Sequence, residues 1–193
     1  MRQVQRFVAG LAVWVAAMPA WSMEPDALCQ AIATRPNIVV VMRHTEAVGR
    51  APVVYDETGA CRGENMLTGK GQRDARAIGD AFARRGLTAE RLHVVASAMC
   101  RTRDTARLAF GKAELDPALR EFLSGRGPGL NAAMEAAEGW IRRLRGPQPL
   151  ILITHLPNID ALTGEQPEYN VGVVTEAHAN GQLTVLGQLP LLP

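Results

Sequence analysis

The sequence predicts an α/β fold of three layers: a mainly parallel sheet with helices on both faces and an antiparallel edge. Apolar runs of strand length, within Ile38–Met42, Leu92–Ser97 and Leu150–Thr154, alternate with segments of helical periodicity. Strands that are apolar on both faces belong inside a parallel sheet, because an antiparallel sheet with one wet face alternates polar and apolar positions. Late in the chain, VGVVTE from Val171 and LTVLG from Leu183 flank Asn180-Gly181, a strong hairpin turn signal.

In chain order, Pro25–Thr34 is a short amphipathic start and Ile38–Met42 the first strand, followed by a polar, Gly-containing loop to about Lys70. A helix runs from Gly71 to about Arg85, with Ala75, Ile78, Ala81 and Phe82 at helical spacing and Gly86 just past its end. Leu92–Ser97 is the second strand, and Ser97 is placed to cap the helix Cys100–Phe110. Gly125–Gly129 reads as a loop, Leu130–Arg145 as a helix, Leu150–Thr154 as the third strand, and Asn158–Leu162 as the opening of another helix.

With 193 residues, 47% hydrophobic and 21% charged, the chain fits one domain with a full core. Residues 1–22 stand apart. Arg2 and Arg6 form a basic start, Phe7–Met18 is an apolar run too short to span a bilayer comfortably, and Ala20 and Ser22 sit at the minus-three and minus-one positions of a cleavage site. This pattern predicts a signal peptide cleaved after Ser22, a folded domain over 23–193, a periplasmic or secreted location and no stable membrane insertion after cleavage. An uncleaved anchor is the rival, opposed by the helix length and flanks; Cys29 follows Asp26-Ala27-Leu28, a poor lipidation context. Cleavage removes two arginines and no acid, leaving 19 basic against 19 acidic side chains, so the net charge of +2 gives no support to a nucleic-acid partner. In an oxidising compartment three cysteines imply pairing that sequence alone does not fix. Cys61 with Cys100, leaving Cys29 over, is the expected arrangement, and three reduced thiols the alternative.

The chemistry gathers at strand ends. Val39–Met42 delivers Arg43 and His44 to the end of a buried strand, where an unpaired charge is costly. Arg101 lies in the first turn after the second strand, and its side chain leans back toward the strand's mouth. The third strand ends in His155. In an open parallel sheet the ligand crevice lies outside the carboxyl ends of the strands, so these four residues should converge. Taken singly each has a duller explanation: a salt-bridged surface pair for Arg43 and His44, a partner in Asp104 or Asp116 for Arg101, a satisfied loop imidazole for His155. His93 and His178 lack this context and read as structural or solvated. Two arginines and two imidazoles describe a site for an anion, and a phosphoryl group suits the planar fork of arginine. A neutral imidazole among such cations can act as a nucleophile on phosphorus.

The four motifs MRHTEA, LTGKGQRDA, SAMCRTRDTA and ITHLPNIDALTG, in that order, resemble those of the histidine phosphatase superfamily, the phosphoglycerate-mutase-like fold, and cover nearly all of the mature chain. The resemblance implies that His44 is the phosphorylated nucleophile and that Arg43, Arg101 and His155 bind phosphate. Leu119-Arg120-Glu121 matches a Leu-x-Glu segment that implies Glu121 as general acid. Glu46 and Asp104 are alternatives for that role. Thr45 stands where the family carries glycine, and a positive φ there would strain a β-branched residue. Cys61 and Cys100 resemble a cysteine pair of exported members.

The expected function is therefore an exported phosphatase acting on a small phosphorylated substrate, a phosphosugar among the candidates, with neither cofactor nor metal. The rivals are a phosphoryl-transfer mutase, for which the segment Leu119–Asn131 is short, and a non-catalytic anion-binding envelope protein. A zinc hydrolase fits worse, because no H-x-x-x-H or C-x-x-C pair occurs. Arg50, Arg62 and Arg126, in the loops Val48–Asn65 and Ser124–Asn131, are the candidates for selecting the rest of the substrate. The sequence leaves the oligomeric state open.

Overall fold

The computed structural model describes residues 23–49, 55–121, 129–144 and 146–192. The segment read as a signal peptide, the substrate-loop candidates Arg50 and Arg126, and residues 125–128 of the Gly125–Gly129 loop lie outside the described residues.

Among the described residues six strands form one sheet. They are β1 (Ile38–Arg43), β2 (His93–Ser97), β3 (Glu114–Asp116), β4 (Leu150–Thr154), β5 (Val171–Ala177) and β6 (Leu183–Pro190), in the order β3-β2-β4-β1-β5-β6. β3, β2, β4 and β1 pair in parallel, while β5 is antiparallel to β1 and β6 to β5. The expected mainly parallel sheet with an antiparallel edge is therefore present.

The apolar strands fill two cores. Val40 and Met42 of β1 pack on one face with Leu28 and Ile32 of α1 (Pro25–Thr34), Ile78 and Phe82 of α2 (Gly69–Arg84) and Phe110 of α3 (Cys100–Phe110). Val39 and Val41 pack on the other with Ile141 of α4 (Gly129–Arg143) and Ile159 of α5 (Leu156–Thr163). Successive strand residues point to opposite faces, so a strand with a helical layer on each side must be apolar throughout. α2 and α3 approach closely because position 79 is glycine: a Cβ there would lie 2.0 Å from the carbonyl oxygen of Ala109.

Several elements depart from expectation. β3 was not expected, since its three residues form a mostly exposed edge without an apolar period. α2 begins two residues early, its N-cap being Thr68, whose hydroxyl accepts from the Gly71 amide at 2.9 Å. Ser97 does not cap α3. Met99 occupies that position without a side-chain bond, and the carboxylate of Glu64 accepts from the Cys100 amide at 2.7 Å instead. An acid reached from a distant loop thus supplies the negative charge that a helix N-terminus favours.

Candidate active site

β1, β2 and β4 all end at the same edge of the sheet, and the structure brings Arg43, His44, Arg101 and His155 to that edge. β1 ends at Arg43, and the His44 amide donates to the Thr154 carbonyl at 3.3 Å, tying the strand ends together. The rings of His44 and His155 stand 5.7 Å apart between centroids.

The hydrogen bonds define two tautomers. Nδ1 of His44 lies 2.8 Å from the carbonyl oxygen of Thr45, which can only accept, so Nδ1 carries the proton and Nε2 keeps its lone pair. In His155 the arrangement is reversed. Its Nδ1 lies 3.1 Å from Nη2 of Arg101, which can only donate, so the proton of the neutral ring sits on Nε2 and faces the Ser97 hydroxyl at 2.9 Å. Desolvation is the main force on both rings, followed by the positive field of Arg101. It lowers His44 from 6.5 to about 3, and His155 well below its ordinary value. Both imidazoles are neutral near pH 7.

Arg101 is only 2% exposed. Its Nη2 donates to Oε2 of Glu121 at 2.6 Å, and burial draws the guanidinium below its ordinary value against the opposing fields of Glu121 and Glu64. Neither Asp104 nor Asp116 is its partner: Asp104 faces Arg103 and Arg107, and Asp116 accepts from the Trp140 indole. Nη1 of Arg101 and Nε of Arg43 are buried without a hydrogen-bond partner among the described residues. Donors of this kind are expensive to leave unsatisfied, and they suit an oxyanion.

Glu121 is positioned from behind. The side chain of Asn158 donates to the carbonyls of Leu119 and Arg120 at 3.0 and 3.3 Å, and Thr154 donates to Leu119 at 3.1 Å, so β4 and α5 hold the segment that presents the carboxylate. The other candidate acids are engaged elsewhere, Glu46 by the Thr68 hydroxyl at 2.7 Å and Asp104 by its arginines.

The strain anticipated at Thr45 does not arise. Positive φ among described non-glycine residues is confined to Asn37, Cys61 and Asn170. Thr45 is fully buried; its amide donates to the Thr105 hydroxyl at 3.1 Å and its own hydroxyl to the Gly71 carbonyl at 2.8 Å. The hydroxyl does work that glycine could not do. Gly71 in turn must lack a side chain, since a Cβ would fall 2.0 Å from the Glu46 carbonyl oxygen.

Cys61 and Cys100 form a disulfide, with Cα atoms 5.9 Å apart, and Cys29 is free. The bridge fixes the residue before Arg101 to the 56–64 loop. His93 and His178 stand apart from the site, bonded to Glu114 and Thr184. Arg62 is exposed. Sequence reasoning missed Glu64 and Tyr169. The Tyr169 ring lies 3.8 Å under the Arg43 guanidinium carbon and 5.9 Å from the His44 ring. Among the described residues no group of three or more His, Cys, Asp or Glu side chains is placed to hold a metal ion, and no helix is long and apolar enough to cross a membrane.

A family model described as histidine phosphatase superfamily (branch 1) matches residues 39–151, which take in His44 and Arg101. No curated protein sequence matches the chain. Among solved structures, the protein histidine phosphatase SixA complexed with tungstate superposes with a TM-score of 0.55 at 17% identity, covering 80% of this chain and 97% of that one. A phosphoserine phosphatase mutant from Entamoeba histolytica in complex with phosphoserine gives 0.56 at 11% identity, over 80% and 97%. A mycobacterial glucosyl-3-phosphoglycerate phosphatase with inorganic phosphate gives 0.53 at 15% identity, over 81% and 100%. At these identities the likeness is one of fold.

Proposed function

The chain belongs to the histidine phosphatase superfamily, and from that membership, the site's geometry and, for export, the signal-peptide pattern of residues 1–22, we propose that it is an exported, periplasmic or secreted, phosphatase that hydrolyses a small phosphomonoester through a phosphohistidine on His44. The observation that carries the reading is the His44 ring itself: neutral, pinned through Nδ1, with no hydrogen bond to Nε2 among the described residues, and in the positive field of Arg101 and Arg43. Neighbours of the same fold are complexed with oxyanions, tungstate in one and inorganic phosphate in another, which supports an oxyanion as the ligand of this chain.

In this reading the phosphoryl oxygens take the unpartnered donors of Arg43 and Arg101. Nε2 of His44 attacks phosphorus in line; the N–P bond forms as the ester P–O bond breaks, and the surrounding cations stabilise charge on the phosphoryl oxygens. The Glu121 carboxylate takes up a proton from solvent as substrate binds and gives that proton to the leaving oxygen. Water then attacks the phosphohistidine, Glu121 accepts a proton from that water, and inorganic phosphate departs, leaving His44 neutral. His155 acts as a neutral donor-acceptor link that holds Arg101 against Ser97. A phosphorylated sugar is one substrate class that this polar site could accept.

The test is His44→Ala in the mature chain, assayed on an activated aryl phosphate and by denaturing quench. Turnover should vanish, and an acid-labile, base-stable phosphoryl label on the wild-type protein should be absent from the variant. Turnover retained by the variant would sink the mechanism.

A further inference from the structure

The two site arginines are held differently. Arg101 has a carboxylate and an imidazole at its Nη2, whereas no carboxylate among the described residues lies within ion-pair distance of Arg43. The Arg43 guanidinium instead faces an uncharged surface, the ring of Tyr169, at 3.8 Å, and its Nε is buried without a partner among the described residues. An aromatic face attracts a cation through its quadrupole, and it does so without neutralising the charge. The same ring stands 5.9 Å from His44.

The backbone that places Tyr169 is constrained on several sides. Asn170, which links it to β5, has φ +64°, in the left-handed region that asparagine tolerates better than most residues. Its side-chain amide donates to Asp74 on α2 at 2.8 Å, and its carbonyl accepts from the Leu191 amide, just past β6, at 2.8 Å. A costly conformation persists only where its surroundings over-determine it, and such residues gather at functional sites.

Resting on the phosphatase reading above, we propose that Tyr169 is a positioning residue: its ring clamps Arg43 in the phosphate-binding orientation while leaving the full positive charge for the substrate's phosphoryl group. A carboxylate in its place would hold the guanidinium equally well but neutralise it. The clamp acts through the ring face, so the phenolic hydroxyl is dispensable.

The experiment is calorimetric titration of the mature protein with inorganic phosphate, alongside kcat and KM on an aryl phosphate, for wild type, Tyr169→Phe and Tyr169→Leu. Tyr169→Met, which keeps side-chain bulk, stands in should the leucine variant fold poorly. The aliphatic variants should weaken phosphate binding and raise KM by about tenfold, with a smaller change in kcat, and phenylalanine should restore both. Aliphatic variants that bind phosphate as tightly as wild type would overturn the clamp, as would a phenylalanine variant as impaired as they are. If the wild type binds phosphate but turns over no phosphomonoester, the hydrolase reading falls, while the comparison of phosphate affinities still decides the role of Tyr169.

Discussion

Nη2 of Arg101 stands 2.6 Å from Oε2 of Glu121 and 3.1 Å from Nδ1 of His155. One guanidinium nitrogen therefore joins the proposed acid to the second site histidine. In the proposed mechanism the phosphoryl group takes the neighbouring Nη1, which has no partner among the described residues, so the Glu121 carboxylate on Nη2 stands beside the ester oxygen. Glu121→Gln should lower kcat by roughly a hundredfold or more on an alkyl phosphate, the scale of general acid catalysis, and by much less on an aryl phosphate with a good leaving group. The paired substrates are the check. Equal losses on both would remove Glu121 from proton transfer and leave it as a partner of Arg101.

The depressed histidines tie folding to pH. In the unfolded chain His44 and His155 take up protons below about 6.5, whereas folded His44 does so only near 3 and His155 is also held well below its ordinary value. The unfolded state then binds more protons, so stability rises with pH across this window and is lost as pH falls from about 6.5 toward 3. Each imidazole contributes a slope of at most about 1.4 kcal/mol per pH unit. Urea unfolding of wild type and of the His44→Gln, His155→Gln double variant, compared at pH 7 and pH 5, should show the variant losing less. Carboxylates such as Asp74 add acid sensitivity of their own, but it is common to both proteins and cancels in the comparison. Identical losses would contradict the assignment.

Thr45 links three elements at the site. Its amide reaches the Thr105 hydroxyl, which itself donates to the Arg101 carbonyl at 2.8 Å, and its hydroxyl reaches Gly71 at the start of α2. Thr45→Gly would bring the chain to the family's usual residue, yet here it should destabilise by about 1–3 kcal/mol, because a buried hydroxyl bond to the Gly71 carbonyl is lost and the side chain that filled the site is gone. Thr45→Ser should recover most of that loss. Thermal unfolding of the two variants decides it; a glycine variant as stable as wild type would show that the hydroxyl is incidental.

What was legible in the sequence follows from where each signal is written. β1, β2 and β4 are buried on both faces, so they stand out as unbroken apolar runs, and the polar residues that end them stand out by contrast. Arg43, His44 and His155 are visible for that reason, and Arg101 because it follows such a run by one turn. Glu64 and Tyr169 lie in loops that carry no periodicity. Glu64 meets α3 only after the chain has folded 36 residues back on itself, and Tyr169 meets Arg43 only because β5 returns antiparallel beside β1. The chain's two tyrosines hint at this in retrospect, since the other, Tyr55, also carries a guanidinium on its ring, that of Arg120 at 4.2 Å. β3 gave no signal because its residues are largely exposed.

The Cys61–Cys100 bridge closes a loop of sequence separation 39. On the chain-entropy model, such a closure stabilises the fold by about 4 kcal/mol. Its removal bears on the site as well, because Cys100 directly precedes Arg101. Two ties that do not use the sulfurs cross the same gap: Glu64 accepts from the Cys100 amide at 2.7 Å, and Arg103 donates to the Gly59 carbonyl at 3.1 Å. These should keep the start of α3 in place when the sulfurs part. The Cys61→Ser, Cys100→Ser double variant is therefore expected to unfold roughly 10 °C lower than wild type while keeping most of its kcat/KM at temperatures where it is folded. Adding Glu64→Gln to that variant should raise KM, since the charged tie to the helix is then weakened as well. Thermal scans and steady-state kinetics on the two variants separate the effects; an unchanged midpoint after loss of the bridge would show that the disulfide does not support the fold.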